Sequence, residues 1–246
     1  MAIKQGTTID KDEVDQFSSL ADEWWNPKGK FKPLHKFNPI RLAYIRDFLC
    51  MHFDRDPRSA LPLNGLNILD VGCGGGLIAE PLARLGASVS GIDASSQNIE
   101  IAAAHAERSG VNIDYRAITP EELARSGQKF DVVVALEVVE HVRDINLFLE
   151  ACSMMTGSEG TIILATLNRT PKSFLLGIVG AEYIMRWLPR GTHDWHKFIR
   201  PSEIARVLRR NNIEVNDIAG LTFNPITHLW RLSEDVSVNY IMAGVR

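Results

Sequence analysis

The stretch Asp70-Val-Gly-Cys-Gly-Gly-Gly76 puts four glycines into seven residues, directly after an apolar run and directly before a helical pattern. Glycine permits both a tight turn and close approach of a ligand to the backbone, because no Cβ stands in the way. The start of the helix beyond favours an anionic group such as a carboxylate. Asp93 ends the next apolar run, Ala87-Ser-Val-Ser-Gly-Ile92. A carboxylate there is placed to accept hydrogen bonds from both hydroxyls of a ribose. A dinucleotide-binding turn competes for the same glycines. Gly74, Gly76 and Ala79 fit its relaxed spacing, whereas counting from Gly72 puts Leu77 where the third glycine belongs. Asp93 also reads as a helix cap for the segment that begins near Ser95.

A second group of candidates, Glu137, Glu140 and His141, follows the apolar run Phe130-Asp-Val-Val-Val-Ala-Leu136. On a helix, their i, i+3, i+4 spacing would bring all three to one face. Two carboxylates and an imidazole so grouped suit a divalent metal ion such as Mg²⁺. Without a metal, His141 is a candidate general base. The plainer alternative is a solvated helix start with a packed histidine. Arg41 reads either as a cation for a ligand carboxylate or as a solvated charge on a helix face. His193 is either a pocket residue or a polar loop residue.

The elements that must position these side chains alternate strand and helix from Leu66 onward. Strands are expected at 67–71, 87–92, 111–115, 130–136 and 160–165, with helices at 77–85, 97–109, 120–126 and 145–155 between or after them. Such alternation predicts an α/β fold with a doubly wound, mostly parallel sheet and ligands at the carboxyl ends of the strands. A helix at 202–210, capped by Ser202, and two strand-like runs near 213–219 and 236–243 complete the chain. Residues 1–60 read as an N-terminal helical extension, with Val14, Phe17, Leu20, Ala21 and Trp24 at helical spacing and a second helix after Pro39. Residues 61–246 read as the main domain.

The net charge of -3 gives no general electrostatic reason to expect nucleic acid as a partner. Cys50, Cys73 and Cys152 are too few and too dispersed for a disulfide framework or a zinc cluster, which fits a reducing compartment. The acidic start, with Asp10, Asp12, Glu13 and Asp15, resembles neither a secretory signal nor a mitochondrial presequence. A cytoplasmic location is expected. Within the insertion at 171–198, the stretch from Pro171 to Pro189 is rich in apolar residues and flanked by Lys172, Arg186 and Arg190. It reads as an interfacial helix at an anionic membrane surface or as a lid on a substrate cleft.

The glycine turn, the strand-two acid and the fourth strand with Glu137 together resemble the class I methyltransferases, a Rossmann-like family. The resemblance implies a seven-stranded sheet whose last strand is antiparallel, with S-adenosylmethionine as cofactor. Further stretches narrow the family: Phe31-Lys-Pro-Leu-His35, Asn38-Pro-Ile-Arg41, Leu136-Glu-Val-Val-Glu-His-Val142, Thr166-Leu-Asn-Arg169, Val179-Gly-Ala-Glu-Tyr183, Gly191-Thr-His-Asp194, Asn224-Pro-Ile226 and Val238-Asn-Tyr240. In this order they resemble the ubiquinone-biosynthesis O-methyltransferases over nearly the whole chain. That resemblance implies methylation of phenolic oxygens on 2-polyprenyl-6-hydroxyphenol and 3-demethylubiquinol. It also implies that Arg41, Gly72, Asp93 and Leu136 touch the cofactor, with Gly74 in the same turn, and that Arg41 pairs with the cofactor's carboxylate. In the mitochondrial relatives the Glu-x-x-Glu-His motif is associated with magnesium. Two rival readings remain at this stage, a nicotinamide-dependent oxidoreductase on the same fold and a non-catalytic scaffold of a quinone-biosynthesis complex.

Overall fold

The computed structural model describes residues 6–175, 195–224, 227 and 229–246. Among the described residues, eight strands form one sheet in the order β3-β2-β1-β4-β5-β8-β6-β7. These are β1 (Asn67–Val71), β2 (Ser88–Asp93), β3 (Asp114–Ala117), β4 (Phe130–Leu136), β5 (Thr156–Leu167), β6 (Glu214–Asn224), β7 (Leu229–Ser233) and β8 (Asn239–Val245). The first five pair in parallel, and β8 runs antiparallel to both β5 and β6. The antiparallel last strand is as expected. The strand count is not: β7 folds back on β6 as a hairpin and makes an eighth strand. Its residues Leu229-Trp-Arg-Leu-Ser233 alternate only weakly and give little strand signal, yet Trp230 finds Phe37 and Phe223 to pack on.

The core strands are near-continuous apolar runs because both faces of a parallel sheet are covered. Successive side chains alternate between two buried clusters. Leu69, Val133 and Ala135 face Phe148, Leu149 and Cys152 of α6 (Ile145–Met155) together with Ile204 and Leu208 of α8 (Pro201–Arg210). Ile68, Val132 and Val134 face Ile45 and Leu49 of α2 (Lys32–His52) and Leu82 of α3 (Ala79–Arg84). Helix α8 is preceded by Arg200 as its N-cap, with Pro201 in the first turn, so Ser202 lies inside it rather than capping it.

Helix α2 begins seven residues before the start expected after Pro39 and carries that proline inside it. Proline lacks an N–H and normally interrupts a helix at this point. Here the turns on either side are pinned by tertiary packing: Phe37 is buried against Trp230 and Arg41 pairs with Glu137, while within the helix the Arg41 guanidinium lies 4.2 Å over the Phe37 ring. Packing outweighs the lost bond. The short helix α1 (Lys11–Ser18) and a 3-10 turn at Ala21–Glu23 lie ahead of it, as helical pieces, and two more short helices, α5 (Pro120–Arg125) and α7 (Pro171–Ser173), follow β3 and β5.

Candidate active site

The sheet order reverses between β1 and β4, so a crevice opens beyond the carboxyl ends of β1, β2 and β4. The glycine turn leaves β1 at this point. Gly72 and Gly74 have φ of 69° and 52°, conformations that residues with a Cβ rarely adopt. The N–H groups of Gly72 and Cys73 both donate to the Ile92 carbonyl at 2.8 and 3.0 Å, which clamps the turn to β2. A Cβ on Gly72 would stand 2.5 Å from Val138, and one on Gly74 would stand 2.5 Å from the Trp24 ring. The close approach anticipated for a ligand is thus made in part by the protein itself.

Asp93 sits at the end of β2 with its carboxylate turned to the same turn. Oδ2 accepts from the Gly74 N–H at 3.0 Å, and Oδ1 from the Ser95 N–H at 2.8 Å and the Asn98 amide at 3.3 Å. The capping role belongs to Ser95, whose hydroxyl accepts from the Asn98 N–H at the start of α4 (Ser96–Arg108). Burial raises the Asp93 pKa, and the two backbone N–H groups with Asn98 pull it back. Asp70, one strand over, is pushed up to about 8 by burial and then by the charge on Asp93.

The Glu137, Glu140 and His141 group does not share a helical face. Only Val139–His141 makes a 3-10 turn, and Glu137 lies outside it in a left-handed conformation at φ 56°. Each side chain therefore faces a different partner. Glu137 pairs with Arg41, whose side chain is 1% exposed. Glu140 is buried and accepts from the Thr166 hydroxyl at 2.8 Å, while its other oxygen has no hydrogen-bond partner among the described residues. Burial, then the Glu137 charge, push Glu140 up to about 7. His141 places Nδ1 3.0 Å from Glu13 of α1. Burial pushes its pKa down, but the Glu13 hydrogen bond and the carboxylates of Glu140, Glu13 and Glu137 outweigh this and hold it above the usual value. Among the described residues no group of three acidic, histidine or cysteine side chains is gathered to hold a metal ion. As arranged, with each side chain turned to a different partner, these three do not form a site for Mg²⁺.

A cavity of about 140 Å³ joins these groups, its floor formed by Gly72, Gly74, Asp93, Asn98, Val138 and His141. Its roof comes from the N-terminal segment through Thr8, Glu13, Phe17 and Trp24. Trp24 donates Nε1–H to Asn98 at 2.9 Å, and Trp25 donates to the Gly75 carbonyl at 2.8 Å. Two residues expected at the cofactor do not line the cavity. Arg41 is turned to Glu137, and Leu136 packs against the cluster on the α2 side of the sheet. On the other side of the Val139–His141 turn, a wider cleft of about 450 Å³ is lined by Glu140, Arg143, Arg169, Arg206 and Arg210. His193 and most of the insertion, 176–194, lie outside the described residues.

The roof was not anticipated from sequence. The one signal was the spacing of Glu13 and Phe17, which are i, i+4 neighbours on α1 and both meet His141, the latter edge-on at 5.0 Å. A residue 128 positions away leaves no local trace of that meeting.

Sheet order, glycine turn and strand-two acid define a doubly wound α/β methyltransferase, and a family model described as a methyltransferase domain matches residues 43–217. Among solved structures, the magnesium protoporphyrin IX methyltransferase of Synechocystis with bound SAM superposes with a TM-score of 0.65, covering 98% of this chain and 100% of its own, at 17% identity. A protein of Bartonella bacilliformis called ubiquinone biosynthesis O-methyltransferase is 55% identical over 98% of each chain. One of the same name from Chelativorans sp. is 58% identical over 96% of this chain and 93% of its own. The chain belongs to the ubiquinone biosynthesis O-methyltransferase family. Neither the oxidoreductase reading nor the scaffold reading gains support from these relatives.

Proposed function

We propose that this protein transfers the methyl group of S-adenosylmethionine to phenolic oxygens of polyprenylated ubiquinone precursors, 2-polyprenyl-6-hydroxyphenol and 3-demethylubiquinol. The observation that carries the site assignment is the position of His141. It lines the same cavity as the glycine turn and Asp93, beyond the end of β4. When bound, the cofactor supplies an activated methyl group on a sulfonium. In-line displacement then asks the protein for alignment and for a deprotonated oxygen. A phenol titrates near pH 10, so a base must take its proton at the reacting oxygen. His141 is the group placed for this. Gly72 and Gly74 line the cavity beside Asp93, whose one remaining lone pair, on Oδ2, is offered to the ribose.

Val142 borders both this cavity and the arginine-lined cleft.

The prenyl tail places the reaction at a bilayer. Among the described residues no helix is long and apolar enough to cross a membrane. Phe174 and Leu175, at the start of the 171–189 stretch, are exposed at 48% and 59%. We place the protein in the cytoplasm, at the inner face of the cytoplasmic membrane, with this stretch against anionic lipid. A quinone-biosynthesis complex would meet the substrate at the same surface.

The test is methyl transfer from labelled cofactor to short-tail analogues of both acceptors. Label in the ether product of either acceptor supports the reading. Binding of S-adenosylhomocysteine with no transfer would favour the scaffold, and binding of NADH in its place the oxidoreductase. For the membrane contact, liposome co-sedimentation of an Ile178→Glu, Trp187→Glu variant is expected to fall below wild type. Equal sedimentation would remove the segment as the anchor.

A further inference from the structure

Glu13 stands where an orienting carboxylate for a catalytic histidine would stand, although it belongs to the N-terminal segment and not to the strand-end cluster. Its Oε2 lies 3.0 Å from His141 Nδ1, and its Oε1 accepts from Lys197 Nζ at 2.6 Å. Both oxygens are therefore engaged, and both residues of the pair are only 19% exposed. The Phe17 ring meets the imidazole edge-on at 5.0 Å and 82°, limiting its rotation. Helix α1 is itself fixed at its N-terminal end: the Thr8 N–H donates to Glu121 at 2.7 Å, and the Arg143 N–H donates to the Thr8 carbonyl at 3.0 Å. At its other end Ser18 and Ser95 share a hydrogen bond of 2.6 Å.

We propose that Glu13 is the positioning partner of the base, holding His141 with Nδ1 protonated so that the Nε2 lone pair is the one offered to the phenol. A carboxylate accepts only, so Nδ1 must be the donor in this pair. In the other tautomer two lone pairs would face each other across 3.0 Å. The group that selects the tautomer is thus on the roof of the cavity. The base acquires its working form only when α1 is docked. Proton transfer is then balanced: the phenol O–H breaks as Nε2–H forms, and the resulting imidazolium stands beside the Glu13 carboxylate. The inference rests on the reading of His141 as general base.

Turnover, cofactor affinity and imidazole ¹⁵N spectra of Glu13→Gln, Glu13→Ala, Asp10→Asn and His141→Gln proteins separate the possibilities. Asp10 pairs with Lys197 and Arg143 at 3.7 and 3.9 Å without touching His141, so its variant weakens the docking of α1 alone. Glu13→Ala is expected to lower kcat about 10- to 100-fold, less than loss of the base itself, which is on the order of 10²–10⁴-fold. KM and S-adenosylhomocysteine affinity should stay near wild type. Glu13→Gln, which keeps an acceptor oxygen, should recover part of the loss, and Asp10→Asn, which loosens α1 but leaves the Glu13–His141 pair, should lower kcat less than Glu13→Ala and leave the His141 tautomer unchanged. The neutral His141 signal should report Nδ1–H in wild type and shift toward Nε2–H in Glu13→Ala. Wild-type kcat or an unchanged tautomer in Glu13→Ala would overturn the assignment of Glu13. Full activity in His141→Gln would instead overturn the reading of His141.

Discussion

The Trp24 indole lies across the glycine turn, stacked on Phe31 with centroids 3.8 Å apart, and so close to Gly74 that no side chain fits between them. Gly74→Ala should therefore act through Trp24 as well as through its own φ of 52°. The left-handed conformation costs about 1–2 kcal/mol for a residue with a Cβ, and overpacking a further 1–3 kcal/mol or so. A lower melting temperature and weaker S-adenosylhomocysteine binding by calorimetry are expected together. Normal values for both would mean that Trp24 yields freely.

Asp93→Ala should weaken S-adenosylhomocysteine binding by about 1.5–3 kcal/mol, the range for a charge-assisted hydrogen bond. The variant also leaves the Gly74 and Ser95 N–H groups without the acceptor that they now share. Calorimetry on Asp93→Asn, which keeps one acceptor oxygen, separates the ribose contact from this loss of turn support. Wild-type affinity in both would remove Asp93 from the site.

Arg41 is almost fully buried and faces Glu137, which keeps 22% exposure. Removing one partner of a buried pair costs about 3–5 kcal/mol, and the exposure of Glu137 sets the loss in Arg41→Ala toward the low end. Arg41→Met, which keeps an apolar stem in place although it loses the guanidinium over Phe37, should lose less. Denaturant melts of the two proteins provide the comparison. Wild-type stability in Arg41→Met would show that the charge contributes little, and an equal loss in the two variants would show that the stem contributes little.

With Glu137, Glu140 and His141 directed to three different partners, methyl transfer should proceed unchanged after exhaustive chelation, and added Mg²⁺ should not stimulate it. A chelator-sensitive activity restored by Mg²⁺ would mean that these side chains regroup around an ion when substrate is bound.

Two buried acids give the cofactor-free protein a definite response to pH. The folded-state pKa values of Asp70 and Glu140 are raised, to about 8 and about 7. Their contribution is fully present below the ordinary carboxylate range and is lost as pH rises through these values. His141, also raised, adds a loss of the same sign. Thermal melts should shift downward between about pH 4 and pH 8, and Asp70→Asn should flatten the slope. An unaltered slope in that variant would assign the effect elsewhere.

The sheet was readable because its strands carry their own signature. The run Phe130–Leu136 is apolar enough to be recognised without a partner, and it occupies β4 with the same bounds. The glycine turn and Asp93 were readable because each follows such a strand. Other features depend on distant residues. Pro39 inside α2 is tolerated only because Phe37 and Arg41 are held by tertiary contacts, and the strand β7 exists only because Trp230 has a place to pack. The left-handed backbone at Glu137 undid the one-face arrangement that the i, i+3, i+4 spacing suggested. Local periodicity carries no information on any of these.

The docking of α1 also constrains how the chain folds as it is made. Glu13 meets its partners 128 and 184 positions further along, at His141 and Lys197. Segments that emerge from the ribosome early ordinarily fold first. This helix cannot, since the residues that hold it are synthesised long after it has left the exit tunnel. It waits as an exposed amphipathic segment while the parallel sheet, itself slow to assemble from distant strands, forms behind it. A nascent chain that has built β1 to β4 already owns the glycine turn, Asp93 and the partners of Trp24 and Trp25 above them, but Glu13 lacks both of its partners until His141 and then Lys197 arrive. Competence to hold cofactor under a closed roof is therefore a late event in the life of each molecule.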